Sequence, residues 1–242
     1  MSGSVWGIVV AGGLGQRFGA AKQFAMLSGR PVHEWALDGV RSVAQGVVLV
    51  VPAGYESDIR LGAVSDRVVC GGATRSDSVR AGLGAVPDEA AIIVVHDAVR
   101  PLASPSLFAA VVAAVAGGAD GAIPGLPVVD TVKQVDAGVV RATLDRATLV
   151  RVQTPQAFRA AALRQAHRGE PDATDDAAAV EAAGGVVVVV PGEDSNTKIT
   201  TPEDLALMEW HRTRVHRAEP HGSSAAADGP GKAPMPTVVK PE

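Results

Sequence analysis

The sequence predicts an α/β domain of three layers, a mostly parallel sheet between two sets of helices. Three observations carry this. Short, continuous, β-branched runs recur along the chain, as expected of strands buried on both faces. Helix-like stretches with recognisable caps alternate with those runs, which favours parallel strands joined by crossover helices. A length of 242 residues and a hydrophobic content of 47% suffice for one such domain with an ample core.

The predicted strands are 5–10, 46–51, 67–70, 91–96, 121–129 and 185–190. Helices are predicted over 32–44, 55–63, 75–85, 105–116, 159–168, 174–183 and 202–213. Ser104 with Pro105, Thr174 with Asp175 and Asp176, and Thr201 with Pro202 and Glu203 mark three helix starts. From Pro127 to Phe158 the rhythm breaks, and alternation around Asp136-Ala137-Gly138 reads as a hairpin arm suited to a partner subunit. The domain is read as 1–213 with its arm at about 127–158; residues 214–242, where Pro and Gly accumulate, read as a disordered tail.

Composition excludes several function classes. A net charge of -4 and an aromatic content of 3% supply neither a basic stripe nor a stacking platform for nucleic acid. Cys70 is the single cysteine, which excludes an intrachain disulfide and reads as a small buried residue at a strand end. No signal-peptide pattern opens the chain and no apolar run reaches membrane-spanning length, so the expected compartment is the cytoplasm.

The chemistry concentrates in loops. The first predicted strand breaks into AGGLGQRFGAAKQF, where glycines let backbone amides approach an anion and Arg17 and Lys22 add charge. Lysine is scarce: five of the 22 Lys and Arg residues, with Lys22, Lys133 and Lys198 beside loop or turn signals. A Walker A reading fails because Gln23 follows Lys22. A dinucleotide fingerprint fails because Phe18 stands at the third glycine position and the second strand ends Val51-Pro52 without an acidic residue.

Three further constellations follow predicted strands. His96-Asp97-Ala98-Val99-Arg100-Pro101 offers Asp97 as a Mg²⁺ ligand, or alternatively as a structural carboxylate paired with Arg100. His96 reads as a satisfied buried imidazole. Gly71-Gly72-Ala73-Thr74-Arg75-Ser76-Asp77-Ser78 runs into a helix whose first amides and hydroxyl can contact a base or ribose, or simply cap the helix. Lys198, in Ser195-Asn196-Thr197-Lys198, lies at the expected site edge or is a solvated surface charge.

The ordered set AGGLGQRFGAAKQF, GGATRSDSV, HDAVRP, VVDTVK, LDR, QTPQAF, TDDAAAVE and NTKITTPEDL resembles the 2-C-methyl-D-erythritol 4-phosphate cytidylyltransferase family over residues 5 to about 212. The resemblance implies a Rossmann-like nucleotidyltransferase domain with a projecting arm, working as a homodimer in the non-mevalonate isoprenoid pathway. It implies that CTP and methylerythritol phosphate react to give the 4-diphosphocytidyl product and pyrophosphate. By that resemblance Arg17, Lys22, Arg146 and Lys198 carry catalysis, and Asp97 holds Mg²⁺. Ala11, Gly12, Gly13, Gly72, Ser78 and Ala98 surround the nucleotide. Arg100, Thr131 and Thr174 meet the methylerythritol phosphate, with Thr131 and Arg146 reaching in from the partner's arm. Ala21 and Ala73 depart from the family pattern, where proline and an acidic residue are common. Ribitol-5-phosphate cytidylyltransferases, which share HDAVRP, are the runner-up, and a catalytically inactive nucleotide-binding module is the alternative of another class.

Overall fold

The computed structural model describes residues 3–13, 18, 21–169, 173 and 175–218. In chain order the elements are β1 (Ser4–Val10), the ribbon β2 (Met26–Leu27) and β3 (Arg30–Pro31), α1 (Val32–Arg41), β4 (Gly46–Val51), α2 (Ile59–Val64), β5 (Arg67–Cys70), α3 (Arg75–Ala85), β6 (Ala90–Asp97), α4 (Pro105–Ala116) and β7 (Gly121–Pro127). Then come β8 (Val132–Asp136), β9 (Val139–Leu144), β10 (Val150–Val152), β11 (Gln156–Arg159), α5 (Ala160–His167), α6 (Asp176–Ala182), β12 (Val187–Pro191) and α7 (Pro202–Ala218). Lys22–Phe24 and Arg146–Thr148 form single turns of 3₁₀ helix.

The main sheet runs β5, β4, β1, β6, β11, β7, β12, with β10 continuing beside β7 beyond β11. All pairings are parallel except those of β10 and β11, so the sheet is mostly parallel as expected. Alternation along the strands divides the core. Ile8, Val48, Val50, Ile93 and Val95 point to the face covered by α3, α5 and α6. Their neighbours Val9, Val47, Leu49, Val51 and Val94 meet α1, α2 and α4 on the other face. A strand covered on both sides needs apolar residues at successive positions, which is why these runs lack polar alternation. A third cluster of Leu27, Val32, Val99, Ile199 and Met208 seats α7 beside the β2–β3 ribbon.

Local signals place the helix starts. Ser104 accepts a hydrogen bond from Leu107 N (3.2 Å) ahead of Pro105. Asp175 caps α6 by accepting from Ala178 N (2.9 Å), and Asp58 caps α2 by accepting from Arg60 N (3.0 Å). Asp204 accepts from Thr200 N and Thr201 N at the start of α7. In the arm, β8 and β9 pair around Ala137 and Gly138, whose φ of 47° and 79° give the twist that a two-residue hairpin requires. Both arm strands are largely exposed.

Four expectations need correction. Cys70 is exposed, because it ends β5, an edge strand with no neighbour on its far side. The edge strands β5 and β12 are only partly covered, unlike the central ones. Gln156–Arg159, expected to lie inside the arm, is a central antiparallel strand between β6 and β7. The last helix continues through Ala218, past the expected end at 213, so 214–218 are helical; the expectation of disorder beyond them lies outside the described residues. No helix among the described residues is long and apolar enough to cross a membrane.

Packing between α1 and α4 yields a prediction of opposite signs for two glycines. A Cβ on Gly39 would meet Phe108 Cε2 at 2.6 Å, and Phe108 is fully buried. Overpacking of about 1–3 kcal/mol outweighs the helix-propensity gain of about 1 kcal/mol, so Gly39→Ala is expected to lower the melting temperature. Nothing lies within 4 Å of a Cβ on Gly84, so Gly84→Ala is expected to raise it. Thermal unfolding of the two variants checks both signs.

Candidate active site

The chain crosses the carboxyl ends of β1, β5 and β6 in three loops, and a cleft of about 460 Å³ opens between them. Ala11, Gly12 and Gly13 form one wall, Gly72, Ala73 and Thr74 another, and Asp97 the floor. Lys22 and Lys198 line it from opposite ends of the sequence. The walls are held by continuations of the sheet: Ala11 N donates to Val50 O (2.7 Å), Gly71 N to Val51 O (2.7 Å) and Ala98 N to Val10 O (3.0 Å).

The second wall is braced by α3. Thr74 and Asp77 form a reciprocal capping box, with Asp77 N donating to Thr74 Oγ1 (3.0 Å) and Thr74 N to Asp77 Oδ2 (2.9 Å). Ser78 Oγ accepts from Gly72 N (3.2 Å) and donates to Thr74 O (2.9 Å), folding the loop down on the helix. A Cβ on Gly72 would lie 2.1 Å from Asp77 Cβ, so only glycine permits this approach.

Asp97 is the electrostatic centre. Its Oδ2 accepts from Lys198 Nζ at 2.8 Å, its Oδ1 from Arg75 Nε at 3.3 Å, and Arg100 Nε stands 4.0 Å from Oδ2. Burial disfavours its charge, yet Arg75 and Lys198 outweigh burial and hold the carboxyl well below the usual carboxylate range. Burial also opposes the charge of Arg75, but Asp176 and Asp97 keep that guanidinium more firmly protonated than usual. Arg75 Nη1 donates to Asp176 Oδ2 (2.8 Å), and His167 Nε2 lies 3.1 Å from Asp176 Oδ1. A chain of charge thus runs from α6 through α3 to the cleft floor.

His96, beside Asp97, is fully buried, and burial lowers its pKa to about 4. Thr154 Oγ1 accepts from Asp97 N (3.0 Å), so its own proton serves His96 Nδ1 (3.1 Å), and Nε2–H donates to Arg100 O (3.1 Å). The neutral ring is therefore satisfied at both nitrogens, as its sequence reading held. A second cavity of about 380 Å³ adjoins on the far side of Lys198, lined also by Arg100, Arg151, Gln153 and Asn196. Arg100 Nη1 donates to Asn196 O (2.7 Å). Arg75 Nη2 and Arg100 Nε are buried with no hydrogen-bond partner among the described residues, one beside each cavity. Convergent guanidinium and ammonium groups with spare donors suit an oxygen-rich anion.

A profile of the 2-C-methyl-D-erythritol 4-phosphate cytidylyltransferase family matches residues 5–214. The chain belongs to that family. It is 47% identical to the 2-C-methyl-D-erythritol 4-phosphate cytidylyltransferase of Nocardia farcinica over 86% of this chain and 93% of that protein. It is 42% identical to the bifunctional enzyme IspD/IspF of Nitratidesulfovibrio vulgaris over 87% of this chain, and spans 58% of that longer protein. Among solved structures it resembles the 4-diphosphocytidyl-2C-methyl-D-erythritol synthase of Anaerococcus prevotii with a TM-score of 0.77 and 30% identity, covering 88% of this chain and 99% of that one. As a member of the cytidylyltransferase family the chain is a nucleotidyltransferase, and the fold is the one expected.

Of the residues singled out in this cytidylyltransferase, Lys22, Ala11, Gly12, Gly13, Gly72, Ser78, Asp97 and Lys198 line the first cleft, and Arg100 and Lys198 the second. Ala98 lies in the core beneath, its N–H engaged by Val10 O. Thr131 and Arg146 stand on the exposed arm, where Arg146 Nη1 bonds Val129 O, and neither lines these cavities. Arg17 and Thr174 fall outside the described residues. Sequence reasoning assigned no role to Arg75, Gln23 or Arg151. Arg75 stands in a glycine-rich loop-to-helix motif and was findable as a cation there, but its partner Asp176 is 101 residues away.

Removing Arg75 from this cytidylyltransferase leaves Asp97 and the 1%-exposed Asp176 without their shared counter-charge. Arg75→Met is expected to cost about 3 kcal/mol of stability near neutral pH. A depressed carboxyl contributes stability that is present above its unfolded pKa, about 4, and is lost as pH falls through and below it. The difference between wild type and variant should therefore persist from neutral pH to about pH 4 and narrow only below it, as urea unfolding at about pH 7, pH 4 and pH 2.5 can measure.

Proposed function

We propose that this chain transfers the CMP group of CTP to 2-C-methyl-D-erythritol 4-phosphate, releasing pyrophosphate, as a step of the non-mevalonate isoprenoid pathway. The observation that carries the reading is the convergence of Lys22, Asp97 and Lys198 on one cleft at the carboxyl ends of the parallel strands, within a chain of this family. A phosphate oxygen of the polyol phosphate attacks the α-phosphorus in line. The new bond is the P–O–P bridge of the product; the bond lost joins the α-phosphorus to the bridging oxygen that leaves with pyrophosphate. No side-chain nucleophile is required. Catalysis then consists of holding three anionic groups together and offsetting their charge as it shifts.

The chain's residues divide that task. Backbone groups of Ala11 to Gly13 and Gly72, braced by Ser78, support a cytidine-binding wall. Lys22, with Arg17, neutralises the triphosphate. Lys198 and Arg100, which line the second cavity, hold the polyol phosphate against the α-phosphorus, and Thr174 is assigned to the same side. Mg²⁺ is proposed at Asp97: a single ionised carboxylate suits an ion that takes most of its ligands from phosphates and water. When bound there, the ion would supply positive charge that offsets the charge of the phosphates.

The homodimer is proposed on the arm. Val129, Val135, Val139, Val140 and Leu144 expose between 40% and 70% of their surface there, an apolar stretch that a second copy can cover. In that arrangement Thr131 and Arg146 complete the neighbour's site. A cytoplasmic location goes with two water-soluble phosphate substrates.

Purified protein with CTP, Mg²⁺ and methylerythritol phosphate is expected to release pyrophosphate, and Lys22→Ala to lower kcat by roughly ten- to a thousandfold. Turnover with ribitol 5-phosphate but none with methylerythritol phosphate would reject the substrate. For the arm, mixing the impaired Lys22→Ala and Arg146→Ala proteins should raise activity to roughly a quarter of wild type, because half of randomly paired dimers are mixed and each holds one intact site. Absence of complementation after subunit exchange would place Arg146 in its own chain's site.

A further inference from the structure

Gln23 is 1% exposed, in the middle of the turn Lys22–Phe24, and its side chain reaches back to the beginning of the glycine-rich loop. Its Nε2 donates to Ala11 O at 2.7 Å and to Gly13 O at 3.1 Å. Both amide protons are thus used, and both go to the wall of the first cleft. Its backbone carbonyl accepts from His33 Nδ1 at 3.0 Å. A carbonyl only accepts, so the proton sits on Nδ1, and burial of His33 lowers its pKa and favours the neutral ring.

The turn that carries Gln23 is itself anchored. Phe24 N donates to Ala21 O (2.9 Å), Ala25 N to Lys22 O (3.1 Å) and Val32 N to Ala25 O (2.9 Å). The Phe24 ring stacks on Tyr55 with centroids 4.8 Å apart and meets His33 edge-on at 5.4 Å. A buried amide is stabilising only when its polar atoms are satisfied, and packing alone would be served by an apolar residue. Here the amide joins two points of the chain, residues 11–13 and 22–24, that bracket the intervening loop. Lys22 is covalently next to the clasp and lines the same cleft.

We propose that Gln23 is a positioning residue for the transfer: its side-chain amide clasps both ends of the glycine-rich loop and so sets the Lys22 ammonium against the triphosphate, whatever the length of the segment between. The proposal rests on the reading of Lys22 given above. It accounts for how a loop with Ala21 in place of proline keeps its lysine in register, since the constraint comes from Gln23 rather than from a stiff residue before Lys22.

A double-mutant cycle in the full chain tests it. Gln23→Met keeps the length of the side chain and removes both donors. In the wild-type background it is expected to lower kcat by roughly a hundredfold with KM for CTP changed less than about threefold, the cost of misplacing a reacting group by about 1 Å. In the Lys22→Ala background the same change is expected to cost less than about threefold further, because the lysine through which it acts is gone. Gln23→Asn, which keeps the amide but withdraws it, should fall between, and is read in the same way if Gln23→Met does not fold. Equal losses in both backgrounds, or an unchanged kcat, would overturn the proposal. Nuclear magnetic resonance of isotope-labelled lysine supplies a readout without turnover: the Lys22 signal, assigned by its loss in Lys22→Ala, should move in Gln23→Met. If wild-type protein shows no turnover, the reaction assignment fails by itself, and an unmoved Lys22 signal then overturns the clasp.

Discussion

Everything in the cleft is arranged around the charge of one buried carboxylate. Asp97 ends the central strand β6, and transferring an isolated carboxylate to such a place costs several kcal/mol. Lys198, Arg75 and Arg100 offset that cost by approaching it from three separate parts of the chain. Their positions are therefore not independent. The loop after β12, the start of α3 and the loop after β6 all close on the same carboxyl group, and the cleft takes its shape from that closure.

The second carboxylate, Asp176, extends the constraint away from the cleft. It is more deeply buried than Asp97 and shares Arg75 with it, so the guanidinium serves two negative charges through different nitrogens. The planar, forked donors of arginine reach both in one fixed geometry. Helix α6, which contributes nothing else to the first cleft, thereby becomes part of its support. The cap on the same helix, Asp175, also accepts from Gln156 Nε2 at 2.9 Å, tying α6 to the antiparallel strand β11.

This explains which parts of the molecule were legible beforehand. Runs such as GVVLVV and AIIVVH announce central strands because burial on both faces removes polar residues, and caps such as Ser104-Pro105 announce helices through local hydrogen bonds. Lys22, Asp97 and Lys198 could be picked out because each stands in a loop after a predicted strand. Gln156–Arg159 could not, since four residues beside a helix leave no period to read, and their place is decided by β6 and β7. Cys70 was misread for a related reason: whether a strand lies at an edge depends on sheet order, which no local pattern records. Arg75 and Gln23 escaped because their roles lie in partners, one 101 residues distant and the other a pair of backbone carbonyls.

The uneven use of lysine and arginine follows from the same electrostatics. Arg75 and Arg100 are mostly buried and each is tied by a fixed contact, to Asp176 and to Asn196 O respectively. They form a stationary positive frame. Lys198 is 43% exposed at its side chain and holds Asp97 through one ammonium on a flexible stem. That ammonium can rotate about its stem in a half-solvated position, whereas moving a buried arginine would unpair a second group. Lys22 lies on the facing wall, where the anchored turn fixes its backbone. A reaction that redistributes charge among an attacking phosphate, an α-phosphate and a leaving pyrophosphate is served by both kinds of cation. The chain supplies the fixed kind as arginine, and two of its five lysines meet at this cleft.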